Sequence, residues 1–147
     1  MRATSVVDAP PTIPGKDSPS LEYKMYLFST GKINVDGIFG PTLNFVHGRG
    51  LRYAVSFDDQ PSQTVTLVPA NYNAQNGNRD WEMSVMRNGR VSQTTHTISS
   101  PGYHTLRIWM IDPGVVLEKI IVDSGGVRPS YLGPPESFSA GEAKGAK

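Results

Sequence analysis

Between Leu21 and Val122 the dominant hydrophobic period is two. Leu21, Tyr23, Met25 and Leu27 alternate with Glu22, Lys24, Tyr26 and Phe28, which predicts a strand with one apolar side and one mixed side. Tyr53, Val55 and Phe57 alternate with Arg52, Ala54 and Ser56, and Val65 and Leu67 with Thr64 and Thr66. Leu106, Ile108 and Met110 alternate with Thr105, Arg107 and Trp109. Each reads as a short half-buried strand. Val115 to Val122 is rich in β-branched residues and predicts a central strand of a sheet. Turn chemistry punctuates these runs at Ser29-Thr30-Gly31, Asp36-Gly37, Gly48-Arg49-Gly50, Pro101-Gly102 and Asp112-Pro113-Gly114.

Short strands broken by Gly, Pro and Asp, with no pair of long amphipathic helices to cover a parallel sheet, predict an all-β fold, an antiparallel β-sandwich of jelly-roll-like type. One stretch departs from the period. Trp81, Val85 and Asn88 fall at helical spacing, with Asp80 placed to cap the start and Gly89 to take a left-handed position at the end. The same stretch reads as a hairpin through Asn88-Gly89, a type I′ turn signal. A short helix over Asp80–Asn88 is preferred, because Glu82 to Met86 has poor strand composition.

Residues 1–20 contain Pro10, Pro11, Pro14 and Pro19 and few large apolar side chains, so they read as a Pro-rich linker. Residues 138–147 are small, polar and charged and read as a flexible tail, which leaves 21–137 as the folded domain. No repeat of solenoid or propeller period occurs. The 147 residues suit one domain, and a chain of this size buries roughly 68–70% of its unfolded surface, enough for a core without disulfide or metal support. With no cysteine, a disulfide scaffold, a thiolate zinc site and a cysteine nucleophile are excluded.

Fourteen Lys and Arg against thirteen Asp and Glu give a net charge of +1 with the signs interspersed, so no nucleic-acid partner is expected. Apolar runs such as Gly114 to Leu117 fall far below the ~20 residues of a membrane span, so no membrane association is expected either. The segment Met1 to Asp8 lacks the apolar stretch of a secretory signal. Either the protein is not exported, or the chain is a fragment whose parent carried the signal.

Hydrolytic chemistry needs a nucleophile with a base, two converging carboxylates, or a metal-activated water. No Gly-x-Ser-x-Gly, His-Glu-x-x-His, phosphate-cradling or dinucleotide fingerprint is present, and no catalytic or metal residue is assigned. His47, His96 and His104 stand apart at expected strand ends and read as ordinary histidines. Asp58 and Asp59, adjacent on an extended chain, point to opposite sides and make a poor catalytic dyad. Turn stabilisation is their first reading, as it is for Asp112. A weaker reading has calcium assist folding through Asp58, Asp59 or Asp123; otherwise no cofactor is expected.

Aromatic rings amid polar side chains suit saccharides, because a flat ring meets the C–H face of a pyranose while Arg, Asn, Asp and Gln hold its hydroxyls. The rings outside the clear core alternation are Tyr72, Trp81, Tyr103, Trp109 and Tyr131. Trp81, at helical spacing with Val85, reads more readily as a core plug. Trp109, across the strand from Leu106, Ile108 and Met110, is the ring most expected on a sheet surface or at an interface. The loop Asn71 to Asp80 adds four Asn and a Gln to one aromatic ring. The candidate carbohydrate contacts are therefore Tyr72, Asn73, Arg79, Trp81, Tyr103, Arg107 and Trp109.

The run Gly102-Tyr103-His104-Thr105-Leu106-Arg107-Ile108-Trp109-Met110-Ile111-Asp112-Pro113-Gly114 through Asp123, followed by Gly125-Gly126 and Pro129 to Ser137, resembles the C-terminal domain of glycoside hydrolase family 115, the xylan α-glucuronidases. Leu21-Glu22-Tyr23, Tyr26-Leu27-Phe28, Pro41 to Phe45, Leu51 to Asp59 and Trp81 with Ser84-Val85 agree with it. The resemblance implies a β-sandwich accessory domain of a larger secreted or periplasmic enzyme, with a parent catalytic domain as partner. The segment Tyr72 to Arg79 departs from the family by its greater length. Two expectations follow. One is a non-catalytic carbohydrate-binding module that holds xylan or glucuronoxylan and tethers an attached hydrolase; the alternative is a structural domain that braces the enzyme and forms a homodimer.

Overall fold

The computed structural model describes residues 9–46, 48–130 and 133–139. His47, Tyr131, Met1 to Asp8 and nearly all of the expected tail lie outside the described residues. Among the described residues seven strands and one helix follow in the order β1 (Ser20–Leu27), β2 (Gly31–Phe39), β3 (Leu51–Phe57), β4 (Gln63–Val68), α1 (Arg79–Met86), β5 (Arg90–Ile98), β6 (Gly102–Met110) and β7 (Leu117–Asp123). Every strand pairing is antiparallel, giving one sheet of order β1-β6-β3-β4 and another of order β5-β2-β7. The fold is thus the expected all-β sandwich with one short helix. None of the helices among the described residues is long and apolar enough to cross a membrane.

The core lies between the sheets. Phe39 from one and Phe57, Leu51, Val55 and Leu106 from the other are fully enclosed, with Ile33, Val35 and Ile98 beside them. The period of two is the cause: on β6, Leu106 and Ile108 face inward, while Tyr103, Thr105 and Arg107 alternate to the outer side. Both sheets also meet through the Tyr53 hydroxyl, 2.5 Å from the Ser92 hydroxyl.

Three local expectations need correction. Asp36-Gly37 is no turn but the middle of β2, and the glycine is required there because a Cβ would stand 2.5 Å from the Phe39 ring. The Phe39 side chain folds back into the space a larger residue would fill. Secondly, the β-branched run ending at Val122 forms β7, which among the described residues is an edge strand paired with β2 alone. Its outer row is Lys119, Ile121 and Asp123, so composition here reflected one packed face and not a central position. Thirdly, α1 is capped by Asn78, whose side chain accepts from the amides of Asp80 and Trp81, and the left-handed residue after the helix is Asn88 at φ 50°. Gly89 is needed for another reason: a Cβ on it would meet the Phe39 carbonyl oxygen at 2.8 Å.

The Pro-rich segment ahead of β1 is fastened to the end of β6. Thr12 donates its amide to the Ile111 carbonyl at 2.9 Å and its hydroxyl to the Met110 carbonyl at 2.7 Å, while Met110 donates its amide to the Pro19 carbonyl at 3.0 Å. Asp112, expected to serve a turn, is fully enclosed and accepts from Arg49 at 2.7 Å and from the side chain of Arg52 at 2.8 Å. Burial alone would raise its pKa, but the hydrogen bonds from Arg52 and Arg49 outweigh that and hold its carboxyl below the ordinary range.

The two flanks of the sandwich differ. On the β4–β5 flank, Gln63 donates to the Thr95 carbonyl and Arg90 to the Leu67 carbonyl, stitching edge to edge. On the β1–β7 flank the four-stranded sheet overhangs the three-stranded one, leaving an apolar groove of about 370 Å³ between Leu21, Ile108, Phe39, Val116 and Leu117.

Candidate functional site

Register places the outer face of the four-stranded sheet in rows. Tyr26 pairs with Tyr103, Lys24 with Thr105, Glu22 with Arg107 and Ser20 with Trp109, so these side chains share one side of β1 and β6. At one end the rings gather. Tyr26 lies 5.1 Å from Tyr103, edge to face, and 4.9 Å from Phe28 in a tilted contact. All three are open to solvent, Phe28 and Tyr103 at 86% and 82% and Tyr26 at 47%. Burying them together would remove several hundred Å² of apolar surface from water, since aromatic side chains bury ~150–250 Å² each. A cluster of this kind on a sheet surface has no role in the core.

Next to the rings stands a polar row. Arg107 donates Nε to Glu22 Oε1 at 2.8 Å and Nη1 to the Asp58 carbonyl at 2.6 Å, which fixes the guanidinium across the sheet. The Glu22 hydrogen bond raises the Arg107 pKa further. Lys24, between the rings and this pair, is exposed.

Beneath the row lies an ion pair. His104 Nδ1 is 2.7 Å from Asp58 Oδ2, and its Nε2 is 2.9 Å from the Ser100 carbonyl oxygen. Both neighbours accept, so the doubly protonated ring satisfies both. The Asp58 bond, against the opposing effect of burial, raises the His104 pKa above its ordinary 6.5. Burial tends to raise Asp58, but hydrogen bonds from His104 and the Thr105 amide win and lower it. Asp58 thus braces strand β6 instead of its own turn, with its backbone at φ 48°. His96 instead meets neutral partners, the Thr94 hydroxyl at 2.9 Å and the Gln63 amide at 3.3 Å; it packs edge-on to Phe57, and burial lowers its pKa.

The seven expected contacts fall into two groups, and no hydrogen bond or ring contact joins the groups among the described residues. Tyr103, Arg107 and Trp109 share the β6 face. Trp109 is not an open platform, however; it is 9% exposed and packs with Ala54 and Ile111. The others surround α1. Tyr72 is 8% exposed, with its hydroxyl 3.0 Å from that of Ser84 and its ring 4.9 Å beneath the Arg90 guanidinium. Trp81 is half-buried against the core, Asn73 accepts from the Asn78 side chain, and Arg79 is exposed on the first turn of the helix. The large rings of the helix region are thus committed to packing.

Sequence reasoning passed over Tyr26 and Phe28. Their signal was legible: two large rings on the mixed side of a strand whose other side was already apolar. Asp58, Asp59 and Asp123 do not gather, and no group of three or more His, Asp or Glu among the described residues could hold a metal ion. Asp123 instead accepts from the Gly125 amide at 2.8 Å.

A solved structure of a family GH115 4-O-methyl-alpha-glucuronidase, described as specific for decorated arabinogalactans, superposes with a TM-score of 0.64 at 22% identity. The likeness covers 74% of this chain and 14% of that one, so the chain spans about a seventh of that relative and shares its fold over that part. No curated protein matches the chain. The model of the glycosyl hydrolase family 115 C-terminal domain matches residues 2–136, and the chain belongs to that family as its C-terminal domain.

Proposed function

We propose that this chain is a non-catalytic module that binds xylan-type β-glycan, xylan or glucuronoxylan, on the outer face of its four-stranded sheet and so tethers an attached hydrolase outside the cytoplasm. The observation that carries the reading is the open cluster of Tyr26, Phe28 and Tyr103 beside the Arg107–Glu22 pair. Rings take the C–H faces of successive sugars, and the fixed guanidinium and carboxylate take hydroxyls. Each contact replaces a hydrogen bond to water, so single-site affinity is weak. Attachment to an insoluble polymer then raises the effective concentration of the enzyme. Tyr72 and Trp109 leave the list of expected contacts because their rings are enclosed.

The test is affinity electrophoresis through gels containing xylan, glucuronoxylan or arabinoxylan. Retardation of the native chain, lost in Tyr103→Ala and Phe28→Ala at unchanged melting temperature, is the expected result. Equal mobility in gels with and without polysaccharide refutes it. The second reading, a bracing or dimerising domain, is favoured by the open apolar groove between β1 and β7. It predicts a dimeric mass by light scattering and no retardation in any gel.

A further inference from the structure

A second cleft opens between α1 and the facing edges of β4 and β5. It has a volume of about 260 Å³ and is lined mainly by polar side chains, among them Thr66, Asp80, Arg87 and Arg90. We infer that this cleft is a site for a single neutral sugar unit, a chain end or a branch, held by hydrogen bonds alone.

The floor is fixed. Arg90 is clamped by the Leu67 carbonyl at 2.9 Å, by Asp80 Oδ2 at 2.8 Å and by the Tyr72 ring below it. Its exposure is only 12%, so its position costs a ligand nothing to organise. The rim, in contrast, has unspent capacity. Among the described residues no hydrogen bond or ion pair engages the Arg87 guanidinium or the Thr66 hydroxyl, and Asp80 uses only Oδ2, leaving Oδ1 to accept. A guanidinium donor, a carboxylate acceptor and a hydroxyl that does either are the complement of vicinal sugar hydroxyls.

Size and charge narrow the occupant. About 260 Å³ lies just below the ~300–1,000 Å³ of pockets for drug-sized ligands, which suits one ring and not an oligomer. Asp80 and Arg87, the two exposed charges of the lining, are opposite in sign, and Arg90 is tied to Asp80. A neutral sugar satisfies both exposed groups, whereas a carboxylate or phosphate would meet Asp80 as well as Arg87. With no open ring in the lining, stacking has no part, which separates this cleft from the sheet face.

The inference rests on the glycan reading for the source of its ligand but not for its test. The 15N-labelled chain is titrated with xylose, arabinose and galactose, and separately with acetate and inorganic phosphate. Amide shifts at Thr66 and from Arg87 to Ser92 with a neutral sugar, and none there with the anions, are expected. Arg87→Ala, at an exposed and unpaired position, weakens the titration about tenfold, the loss of one charged hydrogen bond, at unchanged melting temperature. Three results overturn the inference: no sugar-dependent shifts there, the same shifts with acetate or phosphate, or a sugar titration unaltered in Arg87→Ala. Tyr103→Ala separates the two sites, because it abolishes polysaccharide retention under the sheet-face reading yet leaves the cleft titration intact.

Discussion

Replacing Asp58 by Asn isolates the His104 ion pair. Asn tolerates the left-handed backbone at φ 48° and keeps an oxygen for the Thr105 amide, so the variant removes charge with little else. His104 has its pKa raised in the folded chain, so its contribution is complete below 6.5 and fades as pH rises through the raised value. Asp58 has its pKa lowered, so its contribution is complete above 3.8 and fades as pH falls through the lowered value. The pair is therefore fully worth its energy only between those ordinary values. Its side chains are 9% and 41% exposed, and the solvent at Asp58 screens the interaction to about 1 kcal/mol. For a chain of this length that is a fall of about 3–4 °C in melting temperature. His96 complicates the raw profile, since its lowered pKa withdraws stability as pH falls below 6.5, opposite in sign to His104. The assay is thus the difference between native and D58N melting temperatures, in which His96 cancels. It is expected to be largest near pH 5.5, between the two ordinary values, and to shrink as the pH rises through the raised value of His104. A difference that is constant over this range, or that grows with pH, refutes the ion pair.

Asp112→Ala strips a fully enclosed acceptor from Arg49 and Arg52 and should cost about 2–3 kcal/mol in urea unfolding, with the arginines' partial exposure keeping the loss below that of a wholly buried pair. Trp109→Ala should cost about 3 kcal/mol, the signature of a packed ring; a binding loss at unchanged stability would restore it as a platform. Gly50→Ala combines φ 73° with a Cβ 2.2 Å from the Val68 carbonyl oxygen and should destabilise by about 2 kcal/mol or more by the same assay.

Legibility followed how local the deciding interaction was. Strands β1, β3, β4 and β6 were readable because each carries an apolar row, buried along β3 and β6 and towards the C-terminal ends of β1 and β4, and hydrophobic alternation is a local pattern. Strand β2 was masked by Asp36-Gly37, whose glycine answers to a ring two residues away and not to a turn. Strand β5, Arg90–Ile98, has only Val91 and Ile98 as large aliphatic residues, and it turns Thr94 and His96 inward, so no apolar row announced it. Asp112 looked like a turn residue because its partners, Arg49 and Arg52, lie some sixty positions away. The same holds for the site. Tyr103 and Arg107 became candidates from their own strand, whereas Tyr26 and Phe28 join them only when the register sets Tyr26 opposite Tyr103.

That register also ties the proposed binding face to the ion pair beneath it. Asp58 accepts from His104 on the inner row of β6, from the Thr105 amide, and through its carbonyl from Arg107 on the outer row. One residue after β3 thus holds both faces of β6 in line, and the rings at Tyr103 stand one position before His104. Loss of the Asp58 side chain leaves the carbonyl contact to Arg107 available, because that oxygen belongs to the backbone. Asp58→Asn should accordingly lower the melting temperature near pH 5.5 while changing polysaccharide retention less than twofold, and Tyr103→Ala should do the reverse. A D58N variant that loses retention as fully as Tyr103→Ala at a temperature where both are folded would show that the ion pair, and not the ring cluster alone, sets the geometry of the proposed binding face.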